Sequence, residues 1–266
     1  MKEIVKTLTY FNRSFQSKEI FKVQEYIEEE FKKLNLKTRL EPIKTDFGTF
    51  YNVIASNSDE QEKIVVSAHY DTFRDYPGAD DNASGIAGVI ECARKLKDTS
   101  YPIEFVAFCL EEPPFYAEKE MGSFVYAKNI KEQNKTIAGA VVFEMIGYYS
   151  EYQQIPVELE GIIPTNKGDF IINVANKKSA NFLNNLNLKA NNLKSYNLVT
   201  NHQLASLSDN RSFWQFDYNA IMVTDTAFLR NPNYHTPNDT IDTLDFDKME
   251  EVVNMIVRGI KNYFKG

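Results

Sequence analysis

Lys63-Ile64-Val65-Val66-Ser67-Ala68-His69-Tyr70-Asp71-Thr72 is a short β-branched run that ends on a histidine and an aspartate. A continuous apolar run of this length fits a strand buried on both faces, as in a parallel sheet lying between helix layers. The turn Gly78-Ala79-Asp80-Asp81-Asn82-Ala83-Ser84-Gly85 comes next. Ile86, Val89, Ile90, Ala93 and Leu96 then repeat at helical spacing and predict a helix from about Ser84 to Leu96. Ile103–Leu110 reads as a second buried strand and Gly139–Phe143 as a third, with weaker strand signals at Phe170–Val174 and Ala220–Val223. Strands alternating with helices predict an α/β fold with a mixed, largely parallel central β-sheet and helices on both faces.

The flanks fit this frame. Residues 18–34 carry apolar positions at helical spacing with charges between them, and Asp247–Phe264 reads as a closing helix. Thr38–Ile43 and Phe50–Ser56 are strand-like, with Phe47-Gly48 near the turn between them. Asparagine is frequent over 173–201, but interleaved aliphatic residues argue for order there. No repeat or linker divides the chain, and its 266 residues suit one domain, 1–266.

Composition narrows the function. A net charge of −7 argues against nucleic acid, whose phosphates require a basic surface. No apolar stretch of about 18 residues is present, so no membrane span is expected. Met1-Lys2-Glu3-Ile4-Val5-Lys6 lacks a basic-then-apolar leader pattern, and a cytoplasmic location is expected. The two cysteines, Cys92 and Cys109, fall in predicted buried elements and read as small core residues.

The chemistry gathers at strand ends. His69, Asp81, Glu111-Glu112 and Glu144 each follow a predicted buried strand, and ligand sites in such sheets lie beyond the carboxyl ends of the strands. His235 lies in Asn233-Tyr234-His235-Thr236-Pro237-Asn238-Asp239-Thr240, a loop stiffened by Pro232 and Pro237. Each stretch has an ordinary explanation by itself. His69-Tyr70-Asp71 could be a surface pair, Asp80-Asp81-Asn82 a helix cap, Glu111-Glu112 a solvated turn, and Glu144 half of a salt bridge. His202 has no carboxylate neighbours in sequence and reads as incidental. Taken together, two imidazoles and several carboxylates suit zinc, and a carboxylate-rich site can hold two ions. Neighbouring glutamates at a strand end point different ways, so one of Glu111 and Glu112 can bind metal while the other serves as a base.

In order and spacing, His69-x-Asp71, Gly78-Ala79-Asp80-Asp81-Asn82-Ala83-Ser84-Gly85, Glu111-Glu112, Glu144-Met145-Ile146-Gly147 and His235-Thr236-Pro237-Asn238-Asp239-Thr240 resemble the di-zinc exopeptidase family of bacterial leucyl aminopeptidases. That family also includes glutamate carboxypeptidase II and, more distantly, glutaminyl cyclases and the transferrin receptor ectodomain. The resemblance implies a phosphorylase/hydrolase-like sandwich fold. It implies that His69, Asp81 and Glu144 hold one zinc and that Asp81, Glu112 and His235 hold a second, with Asp81 bridging; other divalent metals are possible. It assigns Glu111 as general base to a hydroxide shared by the two ions and Asp71 as the residue that orients His69. It implies a cis peptide between Asp81 and Asn82. A peptide or small amide is the expected substrate and aminopeptidase action the expected reaction. A glutaminyl-cyclase-like acyl transfer, an amide deacylase and a non-catalytic relative are the rivals. The chain departs from the family pattern at Glu144, where most members have Asp, and at Ser208-Asp209-Asn210, where relatives often carry His after Asp. Phe115, Tyr116, Tyr148, Tyr149 and Tyr152 follow the candidate strands and either line a pocket or pack under loops.

Overall fold

A computed structural model describes residues 1–163 and 165–265. The chain begins with α1 (Lys2–Tyr10) and α2 (Glu19–Lys33), followed by the hairpin β1 (Lys37–Thr45) and β2 (Gly48–Ser56). Gly48 adopts φ +129 at the turn, a region open to glycine and strained for other residues. Then come β3 (Lys63–His69), α3 (Gly85–Leu96), β4 (Ile103–Phe108), α4 (Gly122–Glu132) and β5 (Ile137–Glu144). The second half contributes β6 (Phe170–Ala175), α5 (Ala180–Leu186), β7 (Lys194–Val199), α6 (Asn210–Gln215), β8 (Ala220–Thr224) and α7 (Phe246–Lys265).

One eight-stranded sheet runs in the order β1-β2-β4-β3-β5-β8-β6-β7. Its centre, β4-β3-β5-β8, is parallel throughout, as is the β6–β7 pair; the β1–β2, β2–β4 and β6–β8 pairs are antiparallel. This is the mixed, largely parallel sheet expected from the sequence.

The central strands are apolar on both faces because both faces are covered. On β3, Ile64, Val66 and Ala68 join the core beneath α1, α2, α3, α5 and α7, while Val65 joins Tyr126 and Ile130 of α4 and Phe213 of α6. On β4 the same alternation divides Phe105 and Ala107 from Val106 and Phe108. Cys92 and Cys109 are buried free thiols, as expected. Among the described residues no helix is long and apolar enough to cross a membrane.

The departures from expectation are local. Between the Gly78 turn and α3 the chain makes a kinked turn, Ala79–Ser84, in which Asp81 and Asn82 have non-helical backbone angles. The strand expected over Ile103–Leu110 ends at Phe108. Cys109 gives its N–H to the Asn52 side chain instead of the ladder, and Leu110 turns at φ +63. That turn swings Glu111 and Glu112 off the sheet. Helices α1, α4, α5 and α6 and strand β7 were not anticipated; α5, α6 and β7 are six or seven residues long, too short for a periodic signal.

Candidate metal centre

Four strand ends converge at one rim of the sheet. His69 is the last residue of β3, Glu111 and Glu112 follow β4, Glu144 ends β5, and the loops after β3 and β8 bring Asp81 and His235. Asp81 lies between the two imidazoles. Its Oδ1 is 3.3 Å from His69 Nε2 and its Oδ2 is 3.2 Å from His235 Nε2. His69 Nε2 is also 3.5 Å from Glu144 Oε2, and His235 Nε2 is 3.1 Å from Glu112 Oε1. Two donor groups result, His69–Asp81–Glu144 and Asp81–Glu112–His235, each with its donor atoms within 4.8 Å of one another.

These spacings suit a metal polyhedron. Ligand bonds of about 2.1 Å at tetrahedral angles place neighbouring donor atoms about 3.4 Å apart. The four distances of 3.1 to 3.5 Å cluster around that edge. His69 is wholly buried, yet neither ring nitrogen has a hydrogen-bond partner. A buried imidazole without partners carries a desolvation cost that a cation between Nε2 and the carboxylates would offset. The donor set of imidazole nitrogen and carboxylate oxygen therefore fits divalent metal.

Neighbouring carboxylates and amides position the donors. Asp71 lies 3.5 Å from His69 Nδ1, and its two oxygens also accept the backbone N–H groups of Glu111 (3.1 Å) and Glu112 (3.0 Å). Asp239 does the same for the other loop, accepting the N–H groups of Asp80 (2.9 Å) and Asp81 (3.0 Å). Asp80 turns away from the donors, accepting from Gly147 N and Asn231 Nδ2. Asn82 joins the loop to β5, donating to Phe143 O and accepting from the N–H groups of Gly85 and Met145. The Asp81–Asn82 peptide is cis, as expected. Ser208 donates to Glu144 Oε2 at 2.6 Å, which gives a role to one residue of the departing triplet. Asp209 is wholly buried with neither carboxylate oxygen bonded, and Asn210 donates to Ala205 O. The His235 ring lies between Phe73 (4.2 Å) and Tyr234 (3.8 Å), stacked on both faces.

Negative charge is in surplus. Burial opposes a charge on His69, but Glu111, Asp71, Asp81 and Glu144 outweigh it and lift its pKa well above the ordinary value. His235 is carried up to about 9: burial works against its charge, and bonds to Asp81 and Glu112 override that. Burial, joined by the Asp81 charge, pushes Glu112 up to about 8. Glu111 is also raised, first by burial and then by Glu144, Glu112 and Asp209, against the pull of His69. Asp81 is held below its usual range: burial pushes it up, and the two imidazoles on either side of it together outweigh that. Carboxylates packed this densely call for added positive charge.

A cavity of about 240 Å³ opens from the donors. Asp81, Glu111, Glu112, Glu144 and His235 line one end, and Leu159, Ile162, Ile163, Ile172, Val174, Leu198, Leu204, Ala205 and Met222 line much of the rest; among the described residues no lysine or arginine lines it. Of the five aromatics singled out in the sequence, only Tyr116 reaches the cavity. Phe115 packs against Phe15, Phe47 and Phe50, Tyr149 lies beneath Arg230 and Lys248, and Tyr152 is exposed. His202, read as incidental, lines the cavity, and its Nδ1 accepts the N–H of Leu204. The sequence marks Ser208 only as part of a departure from the family pattern, and it assigns no role to Asp239 or Arg13. Asp239 shares a motif with His235 and was within reach; Ser208 and Arg13 act across long chain separations and leave no local signal.

The model of Peptidase family M28 matches residues 52–260. The uncharacterized protein YfbL of Escherichia coli (strain K12) is 34% identical over 90% of this chain and 79% of its own length. The probable leucine aminopeptidase 1 of Trichophyton verrucosum (strain HKI 0517) is 28% identical over 74% of this chain; the match spans 53% of that enzyme, about half its length. Among solved structures, LapB from Legionella pneumophila superposes with a TM-score of 0.79 at 20% identity, covering 98% of this chain and 70% of that one. A glutaminyl cyclase from Bacteroides thetaiotaomicron superposes with a TM-score of 0.67 at 19% identity, covering 98% and 96%. At these identities the structural likenesses speak to the fold.

Proposed function

The chain belongs to peptidase family M28, and on that premise we propose that it is a metal-dependent exopeptidase, an aminopeptidase that removes large apolar N-terminal residues. The observation that carries this reading is the pair of donor groups joined through Asp81. His69, Asp81 and Glu144 would hold one divalent ion and Asp81, Glu112 and His235 the other, with zinc the natural choice for such donors. Bound there, the ions would acidify water and polarise a scissile carbonyl.

The remaining steps belong to the chain's own residues. Glu111 belongs to neither donor group, lines the cavity and has an oxygen 3.8 Å from His69 Nε2. Its raised pKa suits a carboxylate that takes a proton from the attacking water and returns it to the departing amine. Asp71 fixes where Glu111 points by holding its backbone N–H. The acidic end of the cavity would meet a substrate ammonium, and the aliphatic walls would take the first side chain and exclude water from it. Among the described residues no lysine or arginine lines the cavity, so an acidic first residue would find no cationic side chain among them.

Glutaminyl cyclases and amide deacylases could use the same fold. The paired donor groups weigh towards hydrolysis at two ions. The test combines elemental analysis with a screen of leucine 4-nitroanilide, its N-acetylated counterpart and a glutaminyl peptide. Two ions per chain and cleavage of the free-amine substrate are expected, with acetylation abolishing turnover. Preference for the acetylated substrate would replace the aminopeptidase reading with a deacylase. One ion and cyclisation of the glutaminyl peptide would replace it with acyl transfer.

A further inference from the structure

Arg13 lies outside the family match, on the segment joining α1 to α2, and is wholly buried. Its guanidinium donates only to backbone carbonyls: Nε to Tyr70 (2.9 Å), Nη1 to Leu8 (2.9 Å) and Pro77 (2.8 Å), and Nη2 to Gly78 (2.7 Å). Arg13 O in turn accepts the N–H of Thr72. Tyr70 separates His69 from Asp71, and Gly78 opens the turn into Asp80-Asp81. One rigid planar group thus closes the base of the 70–78 loop, holding the end that presents His69 against the end that presents Asp81. The fit is close: a Cβ added at Gly78 would meet Nη2 at 2.8 Å. The carboxylates that favour its charge are Asp239, Asp81, Asp71 and Glu112, against the effect of burial. These are two of the donors and the two carboxylates that hold donor backbones.

We propose that Arg13 is a positioning residue that sets the distance between His69 and Asp81 through its fixed fork of N–H groups, and so tunes metal affinity and turnover from outside the catalytic cavity. The inference rests on reading these donors as metal ligands. Lysine would keep the charge but concentrate three donors on one atom, which cannot span carbonyls on both sides of the loop.

The experiment uses the full chain with Arg13→Lys and Arg13→Met, each assayed well below its own unfolding midpoint. Zinc titration by calorimetry is expected to show affinity lower by about 10–100-fold in both, the range typical of residues that orient ligands. Because the cavity is untouched, kcat should fall by a similar factor while KM changes by less than about 3-fold. Hydrogen exchange should accelerate in peptides covering residues 70–82 and stay unchanged in those covering 103–108. Wild-type zinc affinity and kcat in folded Arg13→Lys would overturn the proposal, since charge alone would then suffice. Loss of a cooperative unfolding transition in both variants would overturn it too, by making Arg13 a folding residue. The exchange readout separates this inference from the functional reading. A wild-type chain that takes up no metal defeats the reading of the donors, whereas unchanged exchange over 70–82 defeats Arg13 by itself.

Discussion

Asp239 Oδ2 accepts the backbone N–H of Asp81 at 3.0 Å, although 158 residues separate the two in the chain. The other oxygen of Asp239 takes the N–H of Asp80, and Asp71 grips Glu111 and Glu112 in the same manner. A carboxylate bonded to two successive amides fixes the peptide plane from which a donor side chain projects. Asp239→Asn preserves the shape but turns one acceptor into an NH2 facing an N–H. We expect a stability loss of about 1–3 kcal/mol, the cost of a buried donor left unmet. Zinc affinity should also fall by about 10–100-fold. Denaturant melts and calorimetry check both, and unchanged affinity would show that Asp239 serves stability alone.

Glu111 is expected to be dispensable for metal and indispensable for turnover. Glu111→Gln should retain the ion content of the wild type while kcat drops by about 10²–10⁴-fold, the contribution of a positioned general base. Activity that survives the substitution would remove Glu111 from the proton transfer.

Cavity volume should set substrate size. Ala205 lines the cavity and is nearly buried, so Ala205→Phe places a ring where a large substrate side chain would sit. The kcat/KM ratio for leucine over alanine anilides should fall by about 10-fold or more, given 1–3 kcal/mol per methylene in an apolar pocket. An unchanged ratio would place the first side chain elsewhere.

Acid stability offers a prediction away from the rim. Glu104 on β4 is buried and bonded to Arg39 (3.1 and 3.2 Å), Tyr126 (2.9 Å) and Lys63 (3.4 Å). Burial alone would raise its pKa, but the Arg39 bonds and the charges of Arg39 and Lys63 outweigh it, and the net shift is downward from 4.5. A folded-state pKa below the unfolded one stabilises the fold above about pH 4.5, and that stabilisation is lost as pH falls through the folded value. Glu104→Gln should therefore be less stable than wild type at neutral pH, with the gap closing below about pH 4.5. A constant gap across that range, followed by denaturant melts, would show that the ionised form contributes nothing.

Much of this arrangement was legible in the sequence because the central strands are short, β-branched and terminated by chemistry. Lys63–His69 announces both its burial and its cargo. So does the run into Glu144, where a carboxylate placed among apolar residues stands out. Periodicity failed where elements were brief, as in α6, and where a strand was cut short by a side chain from elsewhere, as Asn52 does at Cys109. The donors themselves were named, but what holds them was found unevenly. Asp71 is two residues from His69 and could be inferred. Ser208 meets Glu144 across 64 residues and Arg13 meets Gly78 across 65. Such partners are chosen by topology, and no local pattern encodes them.

Leu207 and Phe228 line the cavity and are still 38% and 46% exposed, so its oily surface continues into bulk water. Amphiphiles, short alcohols and the organic co-solvents used to dissolve greasy test compounds should settle there and compete with whatever belongs inside. Turnover measured in such mixtures would understate the protein's capacity, and detergent carried over from purification would act as an inhibitor.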